Sequence, residues 1–378
     1  MEERGSSLRR DTVFRILGLG LAVLLLAACG RAAGASRSEG KVLILSSQPG
    51  LLTATNAVLR PVSDKVPLGR YATGMSVAPG GRTVYVAGRQ SARVSLGQAT
   101  RVSALGEVPP SLVAFSEDPG FALWLGLRPP VAIVLDLRTG AVDRVALKRA
   151  CEGSPDGSVL QPVTGLLVSE SLQFVATNTG CVLPIENGAP MHPIQVGGPQ
   201  GPMAFSARTD RLYVAGLSPE LSVIDPRRLT VVRTIQLASP ASDVVYVPAV
   251  HAVVAAEPLA GVVEIISSTP GANLRGVRVG RFPTELVPGT GADVYALGAT
   301  GELAEISLPA GRVIKSMSLG RGQFSGLVVN PRTATGYMLQ TRPGGGGDAV
   351  VAVDLTSWRV IGRLKERRGF LIEVALAG

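Results

Sequence analysis

Few residues of this sequence have the types and spacings that enzymes use for chemistry. Its two histidines, His192 and His251, do not stand at ligand spacing from a cysteine, so the sequence predicts no metal centre. The G-x-S-x-G pattern of a nucleophile elbow is absent, as are the P-loop, HExxH, CxxCH and EF-hand patterns. We therefore predict no catalytic residue and no cofactor.

The cysteines are the more distinctive residues, and Cys29 has the most specific context. It follows an apolar run of 13 residues, Ile16–Ala28, which has the length of a signal-peptide core and is too short for a comfortable membrane span. Residues 1–15 carry four arginines, the charge order of a secretory signal. This order of charge, apolar run and cysteine predicts an export signal.

The stretch Leu26-Ala27-Ala28-Cys29 resembles the lipobox of bacterial lipoproteins. In that family the small residues fit the signal peptidase, and the cysteine sulfur receives diacylglycerol before cleavage. The resemblance implies a signal peptide over residues 1–28 and a mature chain that starts at an acylated Cys29, carrying palmitate or similar chains. It also implies an extracytoplasmic protein whose partner at this end is membrane lipid. An uncleaved signal anchor is the alternative.

Residues 29–40 continue from the lipidated cysteine as small and polar residues, which predict a flexible tether with a reach of about 18 Å. Outside the cytoplasm the two remaining cysteines meet an oxidising environment. A Cys151–Cys181 disulfide is therefore predicted, with two buried or free thiols as the alternative.

The net charge of +9 raises the question of a nucleic-acid partner. The basic residues are spread over every segment, and the densest run, residues 363–368, contains Glu366 and no aromatic side chain for stacking. We predict no nucleic-acid partner. An arginine-rich surface in water is the first interpretation of the charge, and contact with anionic lipid head groups is the second.

Residues 41–378 consist of short alternating apolar runs separated by turn residues, which predicts one all-β domain. The best copy of a recurring unit has four runs, a to d: PMAFSA (202–207), RLYVAG (211–216), LSVIDP (221–226) and VVRTIQL (231–237). Seven such units span residues 75–364. The C-terminal run 369–378 reads as a strand a, and residues 41–68 read as strands b, c and d.

The two terminal fragments together make an eighth unit, which would close the chain into a ring without free sheet edges. We therefore predict a monomeric β-propeller of eight four-stranded blades, with seven as the alternative. The average repeat of about 42 residues is in the usual range for propellers.

Several runs resemble the YVTN type of propeller repeat: Leu212-Tyr213-Val214-Ala215, Val223-Ile224-Asp225-Pro226 and Thr83-Val84-Tyr85-Val86-Ala87. The asparagine that commonly ends strand b in that family is missing in most copies. Asp136, Asp225 and Asp354 recur at one site, the end of strand c, where an aspartate is predicted to cap the c–d turn.

The b–c and d–a connections of a propeller lie on one face, which is where binding residues are expected. The candidates for this face are Arg89, Arg128, Glu220, Glu257, Glu302 and Arg342. Our first hypothesis is a binding or scaffold protein that holds a protein, peptide or glycan partner there. The second is a hydrolase or lactonase-like enzyme that uses carboxylates at the axis, with or without a divalent metal, which requires several acids to converge on one axial point.

Overall fold

The protein is seen in a computed structural model that describes residues 40–47, 50–62, 65–68, 72–78, 81–88, 92–96, 101–104, 110–115, 121–127, 130–136, 141–147, 162–168, 172–197, 200–267, 274–342, 347–366 and 370–377. Within these residues, antiparallel strands form eight sheets arranged around an axis. No helix in this described part is long and apolar enough to cross a membrane.

The strands follow in chain order, and blades are numbered with them. Blade 1 receives β1 (Lys41–Ser47), β2 (Gly50–Thr55) and β3 (Val66–Pro67). Blade 2 contains β4 (Ala72–Val77), β5 (Thr83–Gly88), β6 (Ala92–Ser95) and β7 (Arg101–Ala104). Blade 3 contains β8 (Pro110–Phe115), β9 (Phe121–Leu127), β10 (Pro130–Asp136) and β11 (Val142–Ala146). Blade 4 contains β12 (Pro162–Leu167), β13 (Leu172–Thr177), β14 (Cys181–Glu186), β15 (Ala189–Pro190) and β16 (Ile194–Gln195).

The second half of the ring repeats the same order. Blade 5 contains β17 (Gln200–Ser206), β18 (Arg211–Gly216), β19 (Glu220–Asp225) and β20 (Thr230–Gln236). Blade 6 contains β21 (Asp243–Val247), a single 3₁₀ turn (Pro248–Val250), β22 (Ala252–Glu257), β23 (Val262–Ser267) and β24 (Leu274–Arg278). Blade 7 contains β25 (Pro283–Pro288), β26 (Asp293–Gly298), β27 (Glu302–Ser307) and β28 (Arg312–Ser318). Blade 8 contains β29 (Gln323–Asn330), β30 (Thr335–Thr341), β31 (Ala349–Asp354) and β32 (Arg359–Lys365), and β33 (Leu371–Ala377) ends the chain.

The C-terminal strand closes the ring, as the repeat pattern predicts. β33 pairs antiparallel with β1, with Val42 opposite Leu376 and Ile44 opposite Val374, and the sheet order is β3-β2-β1-β33. The eight-bladed propeller is confirmed and the seven-bladed alternative is wrong, because the terminal fragments form a complete sheet.

Apolar side chains at alternate positions of a strand point to opposite sides of the blade and hold neighbouring blades together. In β18, Leu212 and Val214 pack toward blade 4, while Tyr213 and Ala215 pack toward blade 6. A strand in the middle of a blade therefore buries both of its faces, whereas the outer strand β20 is exposed along most of its length. Exposed basic residues such as Arg233 on outer strands discourage edge-to-edge pairing with another chain.

The outer strand of blade 4 differs from the prediction of one continuous strand d. Two short segments, β15 and β16, both pair with β14, and residues 191–193 separate them. Pro190 and Pro193 explain the interruption, because proline has no N–H to donate to the ladder.

Asp225 and Asp354, at the end of strand c, cap turns as predicted, whereas the turn that follows Asp136 lies outside the described residues. Oδ1 of Asp225 accepts the N–H groups of Arg227 (3.0 Å) and Arg228 (3.1 Å), and Oδ1 of Asp354 accepts those of Thr356 (2.8 Å) and Ser357 (3.0 Å). These hydrogen bonds hold the pKa of Asp354 below its ordinary value. The recurrence of aspartate at this site is therefore explained by its hydrogen bonds to the turn, without a catalytic or metal-binding role.

Replacing Asp225 by alanine is expected to lower the free energy of unfolding by about 1–2 kcal/mol, because two turn N–H groups lose their acceptor. Arg211 and Arg228 also lose the ion pairs that they make with this buried carboxylate. Urea unfolding measures the loss. Asp354→Ala, in a turn exposed to water, serves as the matched variant and should cost less; equal losses would contradict the role of burial.

The ends of the strands define two faces of the propeller. The "loop face" carries the b–c and d–a connections, and the "turn face" carries the a–b and c–d connections. The described chain enters the domain on the turn face: Val42 pairs with Thr55 at the end of β2, and a Cβ placed on Gly40 would lie 3.4 Å from Nδ2 of Asn330, which ends β29 next to an a–b connection.

Candidate functional site: the loop face and the axial carboxylates

The predicted loop-face residues within the described part lie on four consecutive blades. Glu220 begins β19, Glu257 ends β22, Glu302 begins β27 and Arg342 follows β30. Each stands at a b–c connection, so the loop class was predicted correctly, but the residues are distributed around the rim. Arg89, Arg128, Cys29 and Cys151 lie outside the described residues.

Glu257, a candidate binding residue of the loop face, is buried. Its side chain is 0% exposed, and its Oε2 accepts the N–H of Ser239 at 2.7 Å. Ser239 Oγ in turn accepts the N–H of Ala260 at 3.3 Å, so the group joins the d–a and b–c connections of blade 6. Among the described residues Oε1 of Glu257 has no hydrogen-bond partner, and burial raises the pKa of this carboxyl. Glu257 is therefore not available to a ligand on the surface.

Glu220 and Glu302 remain in contact with water. Glu220 is exposed, and Glu302 is half-buried with its Oε2 accepting the hydroxyl of Thr300 at 2.5 Å. They stand on blades 5 and 7, so they offer two separate acceptors rather than one acid–base pair.

Arg342 lies close to a second cation, Arg363, which was not among the predicted loop-face residues. Arg363 on β32 donates through Nη2 to the carbonyl of Leu319 at 3.0 Å and through Nη1 to Oε1 of Gln340. Gln340 is itself buried and donates to the carbonyl of Arg321 at 2.7 Å. The bonds fix the guanidinium of Arg363 above the d–a connection between blades 7 and 8.

Burial lowers the pKa of Arg363, and the charge of Arg342 lowers it further. Within the residues described, neither arginine forms an ion pair with an acid. We call Arg342 and Arg363 the "blade 8 cation pair". Two adjacent guanidinium groups without an acid suit an anionic group such as a carboxylate.

Three acids on innermost strands, Asp243, Glu285 and Glu373, form the "axial carboxylates". Each accepts backbone N–H groups from the innermost strand of the next blade. Asp243 Oδ2 bonds Leu286 at 2.7 Å, and Glu373 Oε2 bonds Met75 at 2.5 Å.

Glu285 makes the most complete of these contacts. Its Oε1 accepts the N–H of Gly326 at 2.8 Å and its Oε2 accepts that of Leu327 at 2.7 Å. Both donors lie within a β-bulge of β29, between Ser325 and Val328, where the ladder of hydrogen bonds is interrupted. The carboxylate thus accepts hydrogen bonds from peptide groups at a point where the register of the ladder shifts.

Burial raises the pKa of two axial carboxylates. For Glu285 the two N–H bonds oppose the effect of burial without cancelling it. For Glu373 a single N–H bond opposes it, and the pKa rises to about 8. Glu373 is therefore largely protonated at neutral pH.

The axial carboxylates do not converge on one point as a metal site requires. Among the described residues, no group of three or more His, Cys, Asp or Glu side chains is placed to hold a metal ion. Sequence reasoning missed these acids. The available signal was an acid within an otherwise apolar strand, as in PTELVP (283–288) and LIEVALA (371–377).

A cleft of about 290 Å³ lies where blades 8 and 1 meet. Its apolar base includes Ile44 and Leu371, and its rim carries Lys65, which forms an ion pair with Glu366 at 3.8 Å. The cleft offers a small, partly apolar depression beside the closing strand.

Cys181 begins β14 at the loop-face end of the strand and is buried. Its predicted partner, Cys151, lies outside the described residues, so the disulfide stays a prediction.

The sequence matches no protein-family model and no curated protein. Solved structures match in fold. Dihydro-heme d1 dehydrogenase NirN in complex with DHE aligns with a TM-score of 0.69 over 92% of this chain and 77% of that chain, at 13% identity. Apo AztD from Citrobacter koseri aligns with a TM-score of 0.61 over 90% and 98%, at 12% identity.

The chain shares a β-propeller fold with these proteins. A second structure of Citrobacter koseri AztD gives the same TM-score, 0.61, at 11% identity. Such low identities show the fold and carry no statement about activity.

Proposed function

We propose that the protein is a membrane-tethered, extracytoplasmic binding or scaffold protein that holds a protein, peptide or glycan partner on its loop face. The observation that carries the proposal is the position of Gly40 on the turn face, opposite the loop face. A chain anchored through a lipid on Cys29 would leave the loop face free. The signal peptide over residues 1–28, the anchor and the YVTN ancestry belong to this proposal.

Dimensions support the same orientation. The strands of most blades have six or seven residues and are therefore about 20–23 Å long. A tether over residues 29–40 with a mean reach of about 18 Å is shorter than this distance. The tether would thus keep the turn face near the bilayer and the loop face about one strand length further out.

Charge on the loop face suggests the chemistry of the partner. The blade 8 cation pair presents two guanidinium groups, and Arg321 is exposed on the neighbouring d–a connection. We propose that this side of the loop face binds anionic groups of the partner, while Glu220 and Glu302 serve as acceptors elsewhere on the rim. The predicted Cys151–Cys181 disulfide would brace the connection that contains Cys151, between blades 3 and 4, on the same face.

The alternative, a hydrolase or lactonase-like enzyme, receives no support from the described acids. The axial carboxylates already accept backbone N–H groups, and burial raises the pKa of Glu285 and Glu373. A general base must be near a substrate and charged at the working pH.

Two measurements test the proposal. Wild-type protein is expected to require detergent for extraction from its own membranes and to carry acyl chains by mass spectrometry, because stable anchoring needs more than one chain. Cys29→Ala is expected to lack that mass. An equal content of acyl chains in wild type and Cys29→Ala would contradict the anchor.

The loop face is tested by capture of partners from the native envelope in detergent. A partner held by the blade 8 cation pair should be lost from Arg342→Glu/Arg363→Glu and retained by Arg82→Glu/Arg359→Glu, which makes the same charge change on the turn face. Equal capture by both pairs of variants would contradict binding at the cation pair.

A further inference from the structure

Exposed arginines of the turn face lie on the blades around the point where the chain enters the domain. Blades 7, 8, 1 and 2 are consecutive around the ring and present five such residues: Arg312, Arg332, Arg359, Arg60 and Arg82. We call them the "arginine arc". Lys41, exposed at the start of β1, adds a further positive charge to it.

The arc differs in its ion pairing from two arginines on the far side of the ring, although the exposed Arg208 there also forms no ion pair among the described residues. On blade 5, Arg227 contacts Asp210 at 2.6 Å and Arg228 contacts Asp225 at 3.2 Å. Within the part of the chain that the structure describes, Arg60, Arg82, Arg312 and Arg359 form no ion pair. Four arginines of the arc therefore present guanidinium groups on the blades around Gly40 without a paired acid in the described ranges.

A rigid connection in the middle of the arc adds exposed apolar surface. In the "blade 1 turn", residues 56–62, Oδ1 of Asn56 accepts the N–H groups of Val58 (3.2 Å) and Arg60 (2.9 Å). The hydroxyl of Tyr337 donates to the carbonyl of Ala57 at 3.1 Å, and Leu59 is buried.

This fixed turn leaves apolar side chains next to Arg60 in water. Val58 is 42% exposed and Val62 is 49% exposed. The turn is held against blade 8, since a Cβ on Gly362 would lie 2.8 Å from the carbonyl oxygen of Val58. Such a turn presents apolar groups without having to become ordered on binding.

We propose that the arginine arc and the blade 1 turn form a docking surface for an anionic lipid bilayer. Arginines near such a surface gain electrostatic attraction, on the order of fivefold in partitioning for each residue, and the two valines reach the boundary between head groups and acyl chains. The inference rests on the proposed tether, which starts beside this surface. The bilayer thereby fixes the orientation of the propeller and not merely its distance.

Orientation is measured with single labels on the two faces of the full chain, purified from its own membranes and placed in vesicles. Val58→Cys and Leu259→Cys each receive an environment-sensitive fluorophore; Leu259 is 73% exposed and lies in a b–c connection of the loop face. A chain without either substitution gives the labelling of native cysteines. The vesicles contain phosphatidylcholine with or without phosphatidylglycerol, and a quencher is attached to a fraction of the head groups.

In vesicles with phosphatidylglycerol, quenching at position 58 is expected to exceed that at position 259 by about threefold or more. The difference should shrink without phosphatidylglycerol and in Arg60→Gln/Arg82→Gln/Arg359→Gln. It should persist in Arg281→Gln/Arg321→Gln/Arg342→Gln, which removes the same charge from exposed loop-face residues.

The outcomes separate the two proposals. Equal quenching at both positions in chains that sediment with vesicles overturns the docking surface and leaves the anchor intact. Equal effects of the two triple variants also overturn it. A chain that stays in the supernatant in all vesicles overturns both the docking surface and the tether.

Discussion

Glu285→Ala is expected to lower the free energy of unfolding by about 2–4 kcal/mol. The carboxylate is 1% exposed and accepts the N–H groups of Gly326 and Leu327 from the next blade. Removing it takes an acceptor from a half-buried N–H group and from a buried one, and an unsatisfied buried donor costs about 1–3 kcal/mol. Part of this loss is offset because the protein no longer buries an acid whose pKa is raised.

Urea unfolding of the full chain in detergent measures the loss. Glu285→Gln keeps one acceptor oxygen but turns an NH₂ group toward the other donor, so we expect an intermediate loss. Glu220→Gln, an exposed change of the same chemistry, should change stability by less than about 0.5 kcal/mol. A Glu285→Ala variant as stable as Glu220→Gln would show that the contact between blades 7 and 8 does not depend on this acid.

Glu373→Gln is expected to make the protein more stable than wild type at alkaline pH and nearly equal to it in acid. Burial raises the pKa of Glu373 from 4.5 to about 8. Between these values the folded protein keeps a proton that the unfolded chain releases, so this group contributes a stability that is full below pH 4.5 and is lost as the pH rises to about 8. Glutamine has no proton to lose and retains an oxygen for the N–H of Met75.

The expected difference between the variant and wild type at pH 9 is about 2–4 kcal/mol. A shift of this size in a fully shielded group would give about 5 kcal/mol, and we expect less because Glu373 as a residue is only half-buried. Urea unfolding at pH 4.5, 6, 7.5 and 9 gives the two curves, and their difference removes the contribution of the other acids. Parallel curves over this range would mean that Glu373 ionises in the folded protein as it does in the unfolded chain.

The architecture could be predicted because every blade repeats the same local sequence pattern. Alternating apolar runs specify strands buried on both faces, and an aspartate such as Asp225 specifies the turn after strand c. The closing strand was predictable as well, since the two terminal fragments complement each other. The broken outer strand of blade 4 could have been predicted from Pro190 and Pro193, whose effect on a ladder is local.

The functional face was less predictable because its properties arise from contacts between blades. Glu257 looked like a solvated loop acid, and its burial depends on the connection that contains Ser239. Arg363 appeared to be one of many outer-strand cations, and its position beside Arg342 depends on Gln340 and the carbonyl of Leu319. Hydrogen bonds of this kind have no period in the sequence.

The pairing of β33 with β1 has a consequence for how the protein acquires its structure. Lys41 and Ala377 are partners, so the most distant segments of the domain must meet in one sheet. Seven blades can form from neighbouring segments, but blade 1 cannot be completed before β33 has been synthesised. Until then its three strands present an open edge, where pairing with another chain competes with closure. In the final step of folding, intramolecular ring closure therefore competes with aggregation. The seven residues of β33 decide which of the two occurs.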